Sequence, residues 1–389
     1  MLHSTSVTGA QAALRQARAL RDGAAASLAP MLAANASAQR AKNNQGTGNS
    51  FQAGLNAGWE LDLFGANRYG LDASNAALLA SAASLGMVQI STAAEVALDY
   101  VSLRSLQLRS AIAAANLANQ EETLRMAEWR QQTGLLSELE AQQARGAAEL
   151  TRAQLPLLAS AIAQMQHALA VLTGVPPAAL LAALEPAMPL PQVANALAMT
   201  IPAETLRQRP DVRMAEQNVV AAGARVAQAQ AQRAPDFRLG GSLGLGAASL
   251  GGLANGSSVL ASLLGAVSVP LLDGGALRAQ VRGQQAALDQ ARSAYQAAVL
   301  GALQEVEDAL ATLKADRARL LSLRAAATSA TRAAALSSQR FGSGLVGFDV
   351  VLETQRSQFS AQDSLATATA ATSTDHVRLV KALGGGWTP

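Results

Sequence analysis

The chain contains the same pattern twice. Pro30 and Ser37 return as Pro235 and Ser242, an offset of 205 residues. Gly65 and Arg68 return as Gly275 and Arg278, and Gly134-Leu135 as Gly344-Leu345, both at an offset of 210. Leu172-Thr-Gly174 pairs with Leu383-Gly-Gly385 at 211. An offset that holds this steady, with small steps where loops sit, marks one structural unit used twice. The expected organisation is a first repeat over 1–175, a connecting segment over 176–204 and a second repeat over 205–389. Seven of the twelve prolines lie between 176 and 210, as suits a linker with short elements of its own.

Each repeat carries the same series of patterns. A helical stretch (5–29 and 211–234) stops at Pro30 or Pro235, where the ring removes the N–H that a helix needs. Two alternating segments follow. Phe51, Ala53, Leu55, Ala57, Trp59, Leu61 and Leu63 alternate with polar residues or glycine. Val259, Ala261, Leu263, Val267, Val269 and Leu271 do the same, with Gly265 in the series. Period two means strands with one apolar face. Their partners are 31–43 and 236–248, joined to them by the turn-rich loops 43–50 and 251–258.

Next come 71–132 and 277–341, both free of proline, each long enough for a helix of about 90–100 Å. Alanine and leucine dominate the apolar residues and favour helix. Val299, Leu303, Val306, Leu310, Leu313 and Leu320 form a heptad seam, with Val96, Tyr100 and Leu103 a weaker counterpart. A short glycine turn leads into a further helix of roughly 35 residues in each repeat. Pro156 predicts a kink in the first of these.

One hairpin per repeat gives four strands, too few to close a barrel, and long open edges invite pairing with other chains. Several copies closing one barrel is the economical solution. The strands reach the length that a bilayer needs, with one face for lipid and one for water. Pattern alone also allows a non-conducting helical scaffold. No unbroken apolar run of about 18 residues is present, so no transmembrane helix is expected. Charged residues make up 15% and are scattered, with no basic block of the kind that tracks nucleic acid. Cysteine is absent, which excludes disulfides and thiolate metal sites.

Trp59-Glu-Leu-Asp-Leu-Phe-Gly65 resembles the strand-to-helix signature of the TolC-like outer-membrane efflux proteins, in the lipoprotein branch that serves RND-type pumps. Val269-Pro-Leu-Leu-Asp-Gly-Gly275 is similar to its second-repeat counterpart, and Arg207-Gln-Arg-Pro-Asp-Val-Arg213 to the motif that opens the second repeat. Gln304-Glu-Val-Glu-Asp-Ala-Leu310 and Lys381-Ala-Leu-Gly-Gly-Gly-Trp387 complete the set. The resemblance covers essentially the whole chain. It implies a mainly α fold with a membrane β-barrel: a homotrimer whose long coiled-coil-like helices form an α-barrel, beneath a β-barrel of twelve strands, four per chain. It further implies an outer-membrane position extending into the periplasm, a periplasmic adaptor (membrane fusion) protein, an inner-membrane RND-type pump and export of drugs, metals or other small molecules. Relatives carry a signal peptide, a lipidated cysteine and more helix before the point matching residue 5. A truncated, inactive relative or a misplaced start is therefore a second expectation.

The resemblance assigns Thr133, Gly134, Leu135, Ser343, Gly344 and Leu345 to tips that meet the adaptor. It places Asp349, Glu353, Phe341, Arg340 and Arg356 at the periplasmic aperture, and Trp59, Phe64 and Tyr69 at the membrane interface. Read from the residues alone, the tips are turns that need glycine, the charges a solvated helix face and the aromatics ordinary packing. No catalytic or cofactor site is expected. Gly244-Leu-Gly246 is followed by Ser249 where a dinucleotide loop needs glycine, and His3, His167 and His376 have no metal-ligand spacing.

Overall fold

The computed structural model describes residues 4–43, 46–191, 207–254 and 259–385. The expected boundary between connector and second repeat, at 204/205, lies outside the described residues, as do His3 and the second half, 255–258, of the 251–258 loop. The elements run α1 (Thr5–Ala26), β1 (Met31–Asn43), β2 (Gly46–Leu61), α2 (Ala66–Gln132), α3 (Glu138–Thr173), α4 (Pro210–Ala231), β3 (Asp236–Ala247), β4 (Val259–Ser268), α5 (Ala276–Gly342) and α6 (Phe348–Ala382). Short helical turns at Pro177–Leu180 and Leu181–Leu184 follow α3.

The long helices start earlier than their periodicity suggests because a carboxylate caps each one. Asp62 accepts from the backbone N–H groups of Asn67 (3.1 Å) and Arg68 (2.9 Å) at the start of α2. Asp273 accepts from Gly275 and Leu277, both at 2.9 Å, at the start of α5. A carboxylate here satisfies orphan donors and meets the positive end of the helix dipole. The bonds from Leu277 and Gly275 hold the Asp273 carboxyl below its usual range. Gly65 (φ 84°) and Gly275 (φ 89°) make the left-handed turn between strand and helix, where a side chain would be strained. α3 runs continuously through Pro156.

The four strands form one antiparallel sheet in the order β1-β2-β3-β4, so β2 of the first repeat pairs with β3 of the second. The first hairpin loop is shorter than expected: β2 begins at Gly46, and Thr47 to Ser50 pair with Lys42 to Gln39. The polar stretch is recruited into the ladder by its partner strand, a tertiary effect that local propensity does not show.

The chain forms two compact units that cut across the repeats: one of 1–10, 86–210 and 300–389, the other of 11–85 and 211–299. The second unit contains the whole sheet. In the first, Val306 and Leu313 of the heptad seam are buried, as is Leu103 of its counterpart, whereas Leu303 is exposed. By length and composition α2 and α3 each contain an 18-residue window apolar enough to cross a membrane, contrary to the expectation of none. Alanine raises the mean hydropathy of a helix without making an unbroken run of large apolar side chains.

Three motifs far apart in sequence meet in the first unit. Buried Arg209 donates to the Ala382 carbonyl (2.6 Å) and to Glu305 (2.7 Å). Gly384 leaves room for the Arg209 side chain, and Gly385 for Ile90. The end of α6 is thereby tied to α5 and to the segment that opens α4. The cap at the end of α6 also corrects the repeat offset. Val175 N–H bonds Ala170 O (3.0 Å), and Gly385 N–H bonds Val380 O (2.8 Å). The left-handed cap glycines are therefore Gly174 and Gly384, 210 apart and not 211.

Candidate functional site

The two helical tips share one hydrogen-bond pattern. At the first, Leu135 N–H reaches Arg130 O (2.8 Å) and Gly134 N–H reaches Gln131 O (2.9 Å). At the second, Leu345 N–H reaches Arg340 O (2.9 Å) and Gly344 N–H reaches Phe341 O (3.0 Å). This is the Schellman closure, and it needs a residue in the left-handed region: Gly134 at φ 74° and Gly344 at φ 73°. The following leucine projects outward, with Leu135 72% and Leu345 73% exposed. Thr133 and Ser343 are exposed and return their hydroxyls to carbonyls of the preceding turn. An exposed leucine on a rigid turn is an apolar anchor available to another molecule.

Of the aperture residues, Arg340, Asp349, Glu353 and Arg356 are exposed, and Phe341 is buried. Arg356 pairs with Glu353 at 3.3 Å on the same face of α6, an exposed pair worth little to stability. Phe341 packs at 5.2 Å between ring centroids on Phe348, in a cluster with Ala127, Ala144 and Val351. The Arg130 guanidinium lies 4.4 Å from its ring centroid. Phe341 thus anchors the base of the second tip, apart from the exposed charges. The sequence gives no sign of Phe348, its main partner, because burial at a helix start depends on what lies opposite.

A polar stripe at heptad spacing along α2 also escaped sequence reading. Arg109 forms a bidentate pair with Asp363 (2.6 and 3.1 Å), Asn116 bonds Gln362 (2.9 Å) and Thr123 bonds Gln355 (2.8 Å). Positions 109, 116 and 123 stand seven apart, so the signal is the same period that marks an apolar seam, written in polar residues. It holds α6 against α2 above the tips.

The sheet, in the other unit, has two chemically distinct faces. The register places Leu32, Ala34, Ala36 and Ala38 of β1 beside Ala57, Leu55, Ala53 and Phe51 of β2. Trp59, Leu55 and Ala53 stand opposite Leu239, Leu243 and Leu245 of β3, which face Gly265, Ala261 and Val259 of β4. The opposite face carries Asn35 bonded to Asn56 (3.1 Å), Ser242 to Ser262 (2.7 Å), Gln52, Glu60 and Arg238. Its glycines allow close approach: a Cβ on Gly54 would come within 2.9 Å of Gly244 Cα across the ladder. Met31 of β1 and Leu260 and Leu264 of β4 depart from this pattern on the polar face, and Arg40 and Lys42 of β1 depart from it on the apolar face.

Trp59, Phe64 and Tyr69 lie where strands meet helices, all partly exposed. The Trp59 indole N–H donates to Leu28 O (3.0 Å), Phe64 approaches Phe237 (6.4 Å between centroids), and the Tyr69 ring packs over Gly65. Among the described residues no group of His, Asp and Glu is arranged to hold a metal.

Comparison with known proteins decides what carries these features. The outer membrane efflux protein family matches the chain twice, over residues 2–175 and 201–385. The chain belongs to the outer membrane efflux protein family. It is similar to a probable efflux pump outer membrane protein, SepC of Pseudomonas putida, at 32% identity over 342 residues, covering 88% of this chain and 71% of SepC. In structure it is similar to the outer-membrane channel OprN, with a TM-score of 0.94 and 34% identity, covering 99% of this chain and 88% of OprN. The outer membrane protein VceC of Vibrio cholerae aligns at a TM-score of 0.91 and 26% identity, covering 100% and 94%. The chain is an outer-membrane efflux channel, in a family of channels rather than enzymes. The expected fold, mainly helical with a four-stranded antiparallel sheet, is the one found.

Proposed function

We propose that this chain is one protomer of a homotrimer, the passive exit duct of a tripartite pump that expels drugs, metals or other small toxic molecules and catalyses no reaction. The observation that carries this is the sheet. Its apolar face suits lipid and its polar face suits water. Its two free edges, β1 and β4, run in opposite directions. An unpaired edge in hydrocarbon leaves backbone N–H and C=O groups unsatisfied, each at a cost of several kcal/mol. Pairing β4 of one copy with β1 of the next removes that cost, and three copies of four strands make a closed ring of twelve.

Thr133, Gly134, Leu135, Ser343, Gly344 and Leu345 then meet a periplasmic adaptor protein, which links the channel to an inner-membrane RND-type pump. Arg340, Asp349, Glu353 and Arg356 hold the periplasmic aperture shut through contacts between protomers, with Phe341 fixing the turn that presents them. Trp59, Phe64 and Tyr69 mark the inner edge of the lipid, where amphipathic rings are favoured. The repeats are 1–175 and 205–389, with 176–204 as an equatorial connector.

The test is the protein exported to the outer membrane, extracted in detergent, imaged by electron microscopy and reconstituted in planar bilayers. Hollow particles with threefold symmetry and a low resting conductance are expected. Asp349→Asn combined with Glu353→Gln should raise that resting conductance several-fold. Particles without a lumen, or bilayers with no conductance, would sink the channel reading in favour of a helical scaffold.

A further inference from the structure

One acidic pair in the first unit has no part in the channel reading. Asp375 of α6 is 2% exposed, and its Oδ2 is buried with no hydrogen-bond partner among the described residues. Its other oxygen, Oδ1, faces Arg378 at 3.6 Å, a long contact to an exposed guanidinium. Asp316 of α5, its side chain 20% exposed and paired with Arg319 at 3.8 Å, is brought to Asp375 by the neighbouring bond between Arg317 and His376 (2.9 Å). Two ionised carboxylates on such adjoining turns repel, and one of them is out of water. A single proton turns the orphan oxygen into a donor and the repulsion into a hydrogen bond.

The surroundings hold the pair in place. An arginine can only donate, so His376 Nε2 accepts from Arg317 of α5 (2.9 Å), and its Nδ1–H donates to Thr372 O (2.7 Å). The Ser373 hydroxyl donates to Pro191 O (2.7 Å), which pins the connector on the same turn of α6. α2 packs along this stretch, with Ile90 at Gly385 and Arg109 at Asp363, and that register brings Glu95, Asp99 and Arg104 to the level of the pair. Arg104 is spent on the Pro186 carbonyl (2.6 Å) and the Tyr100 ring. Burial and then Glu95 push the Asp99 carboxyl up. The level thus gathers acids faster than free bases.

We propose that Asp316 and Asp375 share one proton, and that this proton fastens α5 to α6 in acid and releases them as both carboxylates ionise. Burial first, and then Asp316, raise the Asp375 carboxyl to about 6, against the smaller opposing pull of Arg378. A raised acid favours the packed state while protonated. Its contribution is complete below the ordinary carboxylate range and is lost as the pH rises through 6.

The experiment is hydrogen exchange on the intact protein in detergent, corrected for intrinsic rates, on peptides spanning 310–322 and 370–380. Protection should fall about tenfold between pH 5 and pH 7, as expected for one group lifted by roughly two units. Asp375→Asn, whose amide donates at every pH, should stay protected at both, and Asp316→Asn should also flatten the dependence. The infrared C=O stretch of a protonated carboxyl should be present at pH 5 in the parent and missing from Asp375→Asn. Wild-type protection that is flat with pH overturns the proposal. So does a pH dependence that survives both substitutions, or an infrared band unchanged by them.

Discussion

Gly134 and Gly344 close the same turn with the same pair of hydrogen bonds, and the residues on either side have exchanged their polarity. At the offset of 210, Glu138 and Leu139 of the first tip correspond to Phe348 and Asp349 of the second. Glu138 and Leu139 are exposed, whereas Phe348 is buried and Asp349 faces solvent. Trp129, 63% exposed, stands where the second tip has Gln339. The caps differ as well. Ser137 and Glu140 form a full capping box at the start of α3, while α6 starts at Gly347 with no side-chain cap. The first tip has the helix-end cap, lends Ala127 and Ala144 to the shared core and shows an apolar surface. The second is held by a core beneath it and shows charge. Backbone bonds that need only a glycine preserve a turn through duplication, and leave the neighbouring positions free to take different work.

Three pairs of substitutions test that contrast, from the largest effect down. Phe348→Ala removes a ring that is 1% exposed and should cost about 3–5 kcal/mol in chemical unfolding, whereas Glu138→Ala at the matching position should stay within about 0.5 kcal/mol. Comparable losses at both would mean that the second tip is not core-anchored. Gly134→Ala and Gly344→Ala should each cost about 1–2 kcal/mol, since both need a left-handed backbone. If their thermal shifts are unequal, the turns are not equivalent. Ser137→Ala should cost about 1 kcal/mol and accelerate exchange in the first turn of α3. Gly347→Ser should return less than that to α6, because a side chain there collides with the Asp349 carboxylate, which must first swing away.

Much of this was legible in the chain. Period two gave the strand faces, proline and its absence bounded the helices, and the recurrence of Gly134 as Gly344 located both tips. What stayed hidden depends on partners distant in sequence. Thr47 to Ser50 look like loop until β1 is laid beside them. Phe341 looks like an exposed aperture aromatic until Phe348 and Val351 close over it. Asp316 and Asp375 sit on separate helices, each an unremarkable acid until α5 and α6 come together. Local pattern tells which face a residue takes, and only the packed structure tells what it meets there.

The opposed directions of β1 and β4 have an arithmetic consequence. A module with an even number of strands can be repeated any number of times around a circle without two like-directed strands ever becoming neighbours. Strand direction alone therefore allows rings in steps of four and does not fix how many copies close one. In the ring proposed above, the number of copies is then left to the packing of helix on helix, whose angles admit few solutions.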